Sequence, residues 1–370
     1  MKNYLLIIIV TIITFMSIKV NAQTEIKIFG GLDAYYLADN ASIQHNTNRL
    51  FAIKNLYKDE FSLNNVILGT SAKSNSWRAN LALDMQEGST DGFCIILSQA
   101  NLAFAPLKNK KFWVEGGFFG HEMLNVPGEF RYYSWNNYFT SYSIANSLHD
   151  IPIGELGFGV AYEFTPNTRL NVRVINSGYF RNAFDNNKSK SLSARLDVID
   201  IFPKWNLSIG TLCGNENYLN MQEGLKTLSA VNLNGNFTKD FESMFIVQVN
   251  SYKSDFNDNN ANTDFVYSAI AQIRYRLTDK MNTSARVAFS SRDLDNKDAN
   301  ISGLDVGINL EYRPTKFSFM RIEGGYLSIN GKNDTFTKVF LCNEKPSNSR
   351  LHLAISGGVY FDIYSSLNDL

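Results

Sequence analysis

Histidine, cysteine and arginine are the side chains of this 370-residue chain best suited to chemistry, and only the arginines form a pattern. The histidines are His45, His121, His149 and His352. Two of them stand beside an acid, as His121-Glu122 and His149-Asp150, which could suggest a general base and its orienter. Neighbours on an extended chain point to opposite sides, so neither pair is arranged to act together. No GxSxG, HExxH or P-loop run occurs, and a nucleophile triad needs a convergence in space that spacing does not supply. The cysteines, Cys94, Cys213 and Cys342, are odd in number, far apart and without CxxC spacing. The expectation is therefore no enzyme, no metal and no cofactor.

Arginines and carboxylates recur at alternate positions of otherwise apolar stretches. In 264–277, Phe265, Tyr267, Ala269, Ala271, Ile273, Tyr275 and Leu277 share one side; Asp264, Ser268, Gln272, Arg274 and Arg276 share the other. Trp77 to Met85 and Leu304 to Tyr312 repeat the pattern. Strand side chains alternate between faces, so one face can meet lipid while the other meets water. Read that way, the inward cations are Arg78, Arg173, Arg195, Arg274, Arg276, Arg286, Arg313 and Arg321. The inward acids are Asp33, Asp84, Glu115, Asp197, Asp305, Glu311 and Glu323. Such charges can set a field across a bore, or pair between neighbouring strands and stabilise the wall. Pairing is favoured for any single residue, and an influence on permeation is expected of the arginines as a group.

The elements that would position them number about sixteen strands, alternately joined by short turns and longer polar connections. The strands are expected near 25–38, 59–72, 75–87, 94–106, 111–121, 151–164, 168–180, 188–200, 204–216, 223–237, 241–253, 263–277, 280–292, 301–313, 316–330 and 348–363. Turn residues suited to reversals lie at Lys73-Ser74, 107–110, 165–167, 201–203, 238–240, 277–280 and 313–315. This is the pattern of an all-β, closed, antiparallel up-and-down transmembrane barrel, with short periplasmic turns and long extracellular loops. An aromatic content of 13% suits two interfacial girdles, and balanced charge (35 Lys+Arg, 35 Asp+Glu) argues against a nucleic-acid partner. Residues 5–16 are almost wholly apolar after Lys2, and Val20-Asn21-Ala22 has the form of a cleavage site. Residues 1–22 are expected to be a signal peptide cleaved between Ala22 and Gln23, leaving 23–370 as one barrel domain in a Gram-negative outer membrane.

The connection 122–150 differs from the rest. It carries Glu122, Glu129, Arg131, Tyr133, Trp135 and Tyr138 among further aromatics. Loops of this length are functional or disordered, and disorder avoids aromatic residues. An ordered constriction folded into the bore is the favoured expectation, with a cap on the rim or a contact with a neighbouring subunit as the alternative.

The runs Gly30-Gly31-Leu32-Asp33-Ala34-Tyr35-Tyr36, Glu60 to Asn64 and Trp113-Val114-Glu115-Gly116-Gly117-Phe118-Phe119-Gly120-His121-Glu122 complete the reading. Over 25–180 they resemble the outer-membrane β-barrel porins described as OmpL-like. The resemblance implies a pore in the outer membrane. The expected function is a water-filled channel for small hydrophilic solutes, with membrane lipid around it and homo-oligomerisation left open. A sealed structural or adhesive barrel is the alternative, and an outer-membrane hydrolase a more distant one. The resemblance departs at the end, where Ser365 to Leu370 follow the last aromatic, Tyr364.

Overall fold

The computed structural model describes residues 24–39, 61–88, 92–120, 138–139, 143, 154–176, 189–217, 223–253, 263–293, 300–331 and 349–366. They form sixteen strands. In chain order these are β1 (Glu25–Asp39), β2 (Phe61–Lys73), β3 (Trp77–Gly88), β4 (Gly92–Phe104), β5 (Phe112–Gly120), β6 (Gly154–Thr165), β7 (Thr168–Ile175) and β8 (Ser191–Phe202). There follow β9 (Trp205–Asn217), β10 (Glu223–Asn236), β11 (Phe241–Lys253), β12 (Thr263–Arg276), β13 (Met281–Asp293), β14 (Ile301–Tyr312), β15 (Ser318–Gly331) and β16 (Ser349–Ser366). Each strand pairs antiparallel with its sequence neighbours, and β1 pairs with β16 to close the barrel. The strand expectations hold to within three residues, except that β7 ends at Ile175 where the expected range ran to 180, and 177–180 lie outside the described residues. No described helix is long and apolar enough to cross a membrane.

Tight reversals gather at one end, which by the usual asymmetry of such barrels is the periplasmic end. Thr238 and Thr278 each place a side-chain oxygen on a backbone N–H two residues ahead, which holds these turns. The reversal expected at 201–203 is one residue later. Phe202 still pairs with Trp205, and Lys204 takes the bend with a φ of 68°. Gly117 in β5 has a φ of 125°, and a Cβ there would come within 2.2 Å of the Ala100 carbonyl oxygen. Only glycine fits that position.

Outward residues make the belt that alternation demands. Val247, Ile308, Ile322 and Leu353 are exposed in the middle of their strands. Near the turn end an aromatic ring of side chains begins, as at Trp205–Phe237, with centroids 4.8 Å apart, and Phe241–Tyr275, at 6.5 Å. Rings at that depth suit the lipid headgroup region.

The inner face is not polar throughout. Ile246 on β11, Val266 and Ile270 on β12, Ala288 on β13, Ile301 on β14, and Leu327 and Ile329 on β15 form one buried apolar cluster. Register places all of them on the same side as Gln248, Ser268 and Arg286. Gln248 on the same face is 0% exposed and accepts a hydrogen bond from Ser268 at 3.4 Å.

Candidate functional site: the charged inner wall

Two groups of arginines face each other across the barrel. The first is built by β3, β5, β6 and β7. Arg78 lies 2.9 Å from Glu163, and its guanidinium is stacked 3.9 Å from the centre of the Trp113 ring. Beside it, Glu115 takes Arg173 at 2.6 Å and Arg169 at 3.1 Å. Arg173 also stacks on Phe119 at 3.8 Å. Each of these side chains has inward parity in its strand, which is why four strands bring them to one surface.

The second group occupies β11 to β15. Glu311 on β14 accepts from Arg274 at 3.1 Å, from Arg313 at 2.7 Å and from Arg321. Asn282 adds a donor at 3.3 Å. Arg274 also lies 3.6 Å from Glu242, and Arg313 donates to the Tyr360 hydroxyl at 3.1 Å. Nearer the loop end of the same strands, β13 and β14, Arg286 meets Asp305 at 3.0 Å, both fully buried. Three guanidiniums on a buried carboxylate satisfy its oxygens and leave a local surplus of positive charge.

All the pore-lining candidates lie at inward positions. Arg78, Glu115, Arg173, Arg274, Arg286 and Arg321 belong to the two groups above. Arg195 pairs with Asp197 at 2.7 Å on β8, and Asp84 and Glu323 are buried on β3 and β15. Arg276, at the end of β12, is exposed and stands apart. The alternation that located Glu115 also applies to Glu163 and Arg169, which the sequence reading did not rank. Trp113 and Phe119 escaped it because aromatic residues at inward positions look like outer-belt residues. The wall arginines find their carboxylates on the wall itself, the pairing between strands that is favoured for single residues from the sequence.

That loop contributes Tyr138, Phe139 and Ser143 to the described residues; Glu122, Glu129, Arg131, Tyr133 and Trp135 lie outside them. The Tyr138 hydroxyl donates to Glu242 at 3.3 Å, and the Arg274 guanidinium lies 4.7 Å above its ring. Asn309 on β14 donates to the Tyr138 carbonyl oxygen. Phe139 is buried, with Arg286 4.5 Å from its ring centre. Burial above all, with the Glu242 charge, raises the pKa of the Tyr138 phenol, so it remains a donor. The loop joins β5 to β6, whereas these contacts lie on β11 to β14, and β13 is halfway round the ring from β5. Tyr138 and Phe139 therefore rest on the wall opposite the strands that flank their loop. Residues 1–23, which include Ala22 and Gln23, are outside the described residues, as are His45, His121 and His149.

An antiparallel barrel with a charged inner wall and an apolar outer belt defines the class as an outer-membrane β-barrel of the porin type. The chain belongs to the family described as "Putative beta-barrel porin-2, OmpL-like", which matches residues 25–361. No curated protein matches the chain in sequence. Among solved structures, the fold is similar to the anion-selective porin from Comamonas acidovorans, with a TM-score of 0.63 and 11% identity over 91% of this chain and 100% of that one. The outer membrane channel DcaP of Acinetobacter baumannii is similar with a TM-score of 0.59 and 14% identity, covering 93% of this chain and 98% of that one. Outer-membrane expressed OmpT of Vibrio cholerae gives a TM-score of 0.59 and 13% identity, covering 93% and 99%. At these identities the likeness is one of fold.

Proposed function

We propose that the barrel is a passive channel for small hydrophilic solutes across the outer membrane, narrowed by the loop 122–150. The observation that carries the narrowing is the seat of Tyr138 and Phe139 on Glu242, Arg274, Arg286 and Asn309, on the far side of the barrel from β5 and β6. A polar and charged wall replaces the hydration of a passing solute, and an aromatic segment across the bore limits its size. Pore-lining roles for Arg78, Asp84, Glu115, Arg173, Arg195, Arg274, Arg286, Arg321 and Glu323 follow from their inward positions. The test is a planar-bilayer recording of purified protein beside a variant lacking 128–142. Discrete steps are expected from the first and larger ones from the second. Unchanged steps in a folded deletion variant would remove the loop from the pore.

A sealed barrel is the second reading, favoured by the complete burial of Lys226 and Gln248 on the inner face. It predicts electrical silence in the same recording. Export through a signal peptide cleaved after Ala22 is part of the proposal, and N-terminal sequencing of the mature protein checks it.

A further inference from the structure

Among the described residues the outer belt fails over β9 and β10. On β14, outward residues stay apolar from Leu304 to Tyr312, roughly 20 Å of membrane depth at ordinary strand rise and tilt. On β9 the outward apolar residues are Trp205, Leu207 and Ile209 alone, roughly 10 Å by the same reckoning. Above them the outward positions are Thr211, Cys213 and Asn215. On β10, Val231 and Leu233 give way to Ser229 and Thr227. Thr211 is the middle residue of its strand and registers with Ser229. Both are exposed, their hydroxyls 3.1 Å apart, and Thr227 donates to the exposed Cys213 sulfur at 3.7 Å. Outward serines elsewhere, such as Ser291, Ser302 and Ser251, stand close to the loop ends of their strands, where headgroups begin.

The loop-end aromatic belt is interrupted over the same strands, as it also is over β7, β11, β14 and β16. Near the loop end, outward aromatics occur at Tyr36, Phe265, Tyr267, Phe289 and Tyr326. None stands outward there on β8, β9 or β10, whose paired positions are Leu192, Cys213 and Thr227. Near the turn end the belt is unbroken across the same strands at Phe202, Trp205 and Phe237.

We infer that the outer face of β9 and β10 docks on a second copy of this chain. Acyl chains cannot hydrogen-bond the hydroxyl groups that this face holds at hydrocarbon depth, and a strand with half the needed apolar height is poorly matched to lipid. A hydroxyl both donates and accepts, so a row of them is complementary to itself. A two-fold rotation about the membrane normal brings Thr211, Ser229 and Thr227 against the same residues of the second copy, in an isologous contact. Cys213 then lies close to its counterpart. The inference rests on the outer-membrane barrel alone and is independent of whether the barrel conducts.

Cross-linking in native outer membranes tests it. With Cys94→Ser and Cys342→Ser in place, Cys213 is the single thiol for a short bis-maleimide. A cross-linked dimer is expected. The control carries Leu68→Cys and Cys213→Ser in the same background, on β2, half a turn round the barrel from β10, and is expected to give none. Thr211→Leu with Ser229→Leu makes the face compatible with lipid and is expected to lower the dimer yield roughly tenfold, with the heat-modifiable gel shift of the folded barrel retained. Absence of a Cys213 cross-link in the otherwise unaltered barrel would overturn the inference and leave lipid on this face. So would an equal yield from Leu68→Cys, or a yield unmoved by the two leucines in folded protein.

Discussion

Glu311 holds Arg274, Arg313 and Arg321 with a single carboxylate. Glu311→Gln keeps the shape and withdraws the charge, so three guanidiniums lose their common counter-ion in a buried place. Breaking a buried ion pair from one side costs about 3–5 kcal/mol, and a reversible urea titration into lipid should read a loss of that order. Removing the cation has a different consequence. Arg78, Arg274 and Arg286 each face an acid, Glu163, Glu311 and Asp305 respectively. Replacing the three with Gln releases those carboxylates as well as deleting positive charge, so both changes act in the same direction. The reversal potential under a salt gradient should move toward cations. A wild-type pore already selective for cations would mean the carboxylates dominate the wall.

Facing is also decided at single residues. Val247 is 53% exposed on the outer face, and Gln248 beside it is fully buried on the inner one. Val247→Arg should cost about 2–4 kcal/mol, as expected for a charge on the lipid face near the midplane. Alternation alone would make Gln248→Arg harmless, since its charge would stay wet. Its burial beside Ser268 reverses that expectation, and a comparable loss is expected in the same titration. A negligible cost at Gln248 would indicate a hydrated wall.

At the scale of the element, the strands were legible because period-2 alternation is strong when one face meets hydrocarbon. For β11 the expected range, 241–253, coincides with the observed one. What alternation could not say is what an inward apolar residue does. Met244, Ile246, Val266 and Ile270 fit the period and break the polarity, and only register across β11 to β15 gathers them with Leu327 and Ile329. Nor does sequence distance reveal that Arg274 and Glu311 meet across an intervening strand, because that requires the staggered pairing of β12, β13 and β14. The seat of Tyr138 and Phe139 on β11 to β14 was not legible in the sequence, because nothing in a loop between β5 and β6 points to strands half a ring away. Two of its residues now carry that argument. Tyr138→Ala with Phe139→Ala removes the rings that Arg274 and Arg286 cover and the hydroxyl bond to Glu242, leaving the strands and loop length intact. Single-channel conductance should rise, by less than in the 128–142 deletion, and the folded gel mobility should not change. Conductance equal to wild type would place the narrowing elsewhere in the loop.

The molecule as a whole depends on one seam between distant parts of the chain. β1 and β16 pair from Glu25↔Ser366 to Asp39↔His352, so closure waits on the last strand finding the first. The turn end of that seam has ties of its own. Lys27 lies 3.4 Å from Asp362 and 5.3 Å from the centre of the Tyr364 ring. Ile363 and Tyr364 are exposed there, at the depth of the turn-end aromatic belt. Ending the chain at Phe361 removes the pairs from Glu25↔Ser366 to Phe29↔Asp362 and leaves the pairs from Gly30↔Phe361 to Asp39↔His352. An open sheet edge in hydrocarbon leaves backbone groups without partners, so the penalty falls on the barrel as a whole and not on one strand. The expected result is a barrel that still closes but loses its folded gel mobility at a lower temperature than the full chain. Asp362→Ala in the full chain should show a smaller shift in the same direction, since exposed ion pairs contribute little. If the shortened barrel unfolds at the same temperature as the full one, the last turn of the seam contributes nothing, and closure is secured by the pairs from Gly30 to Asp39 alone.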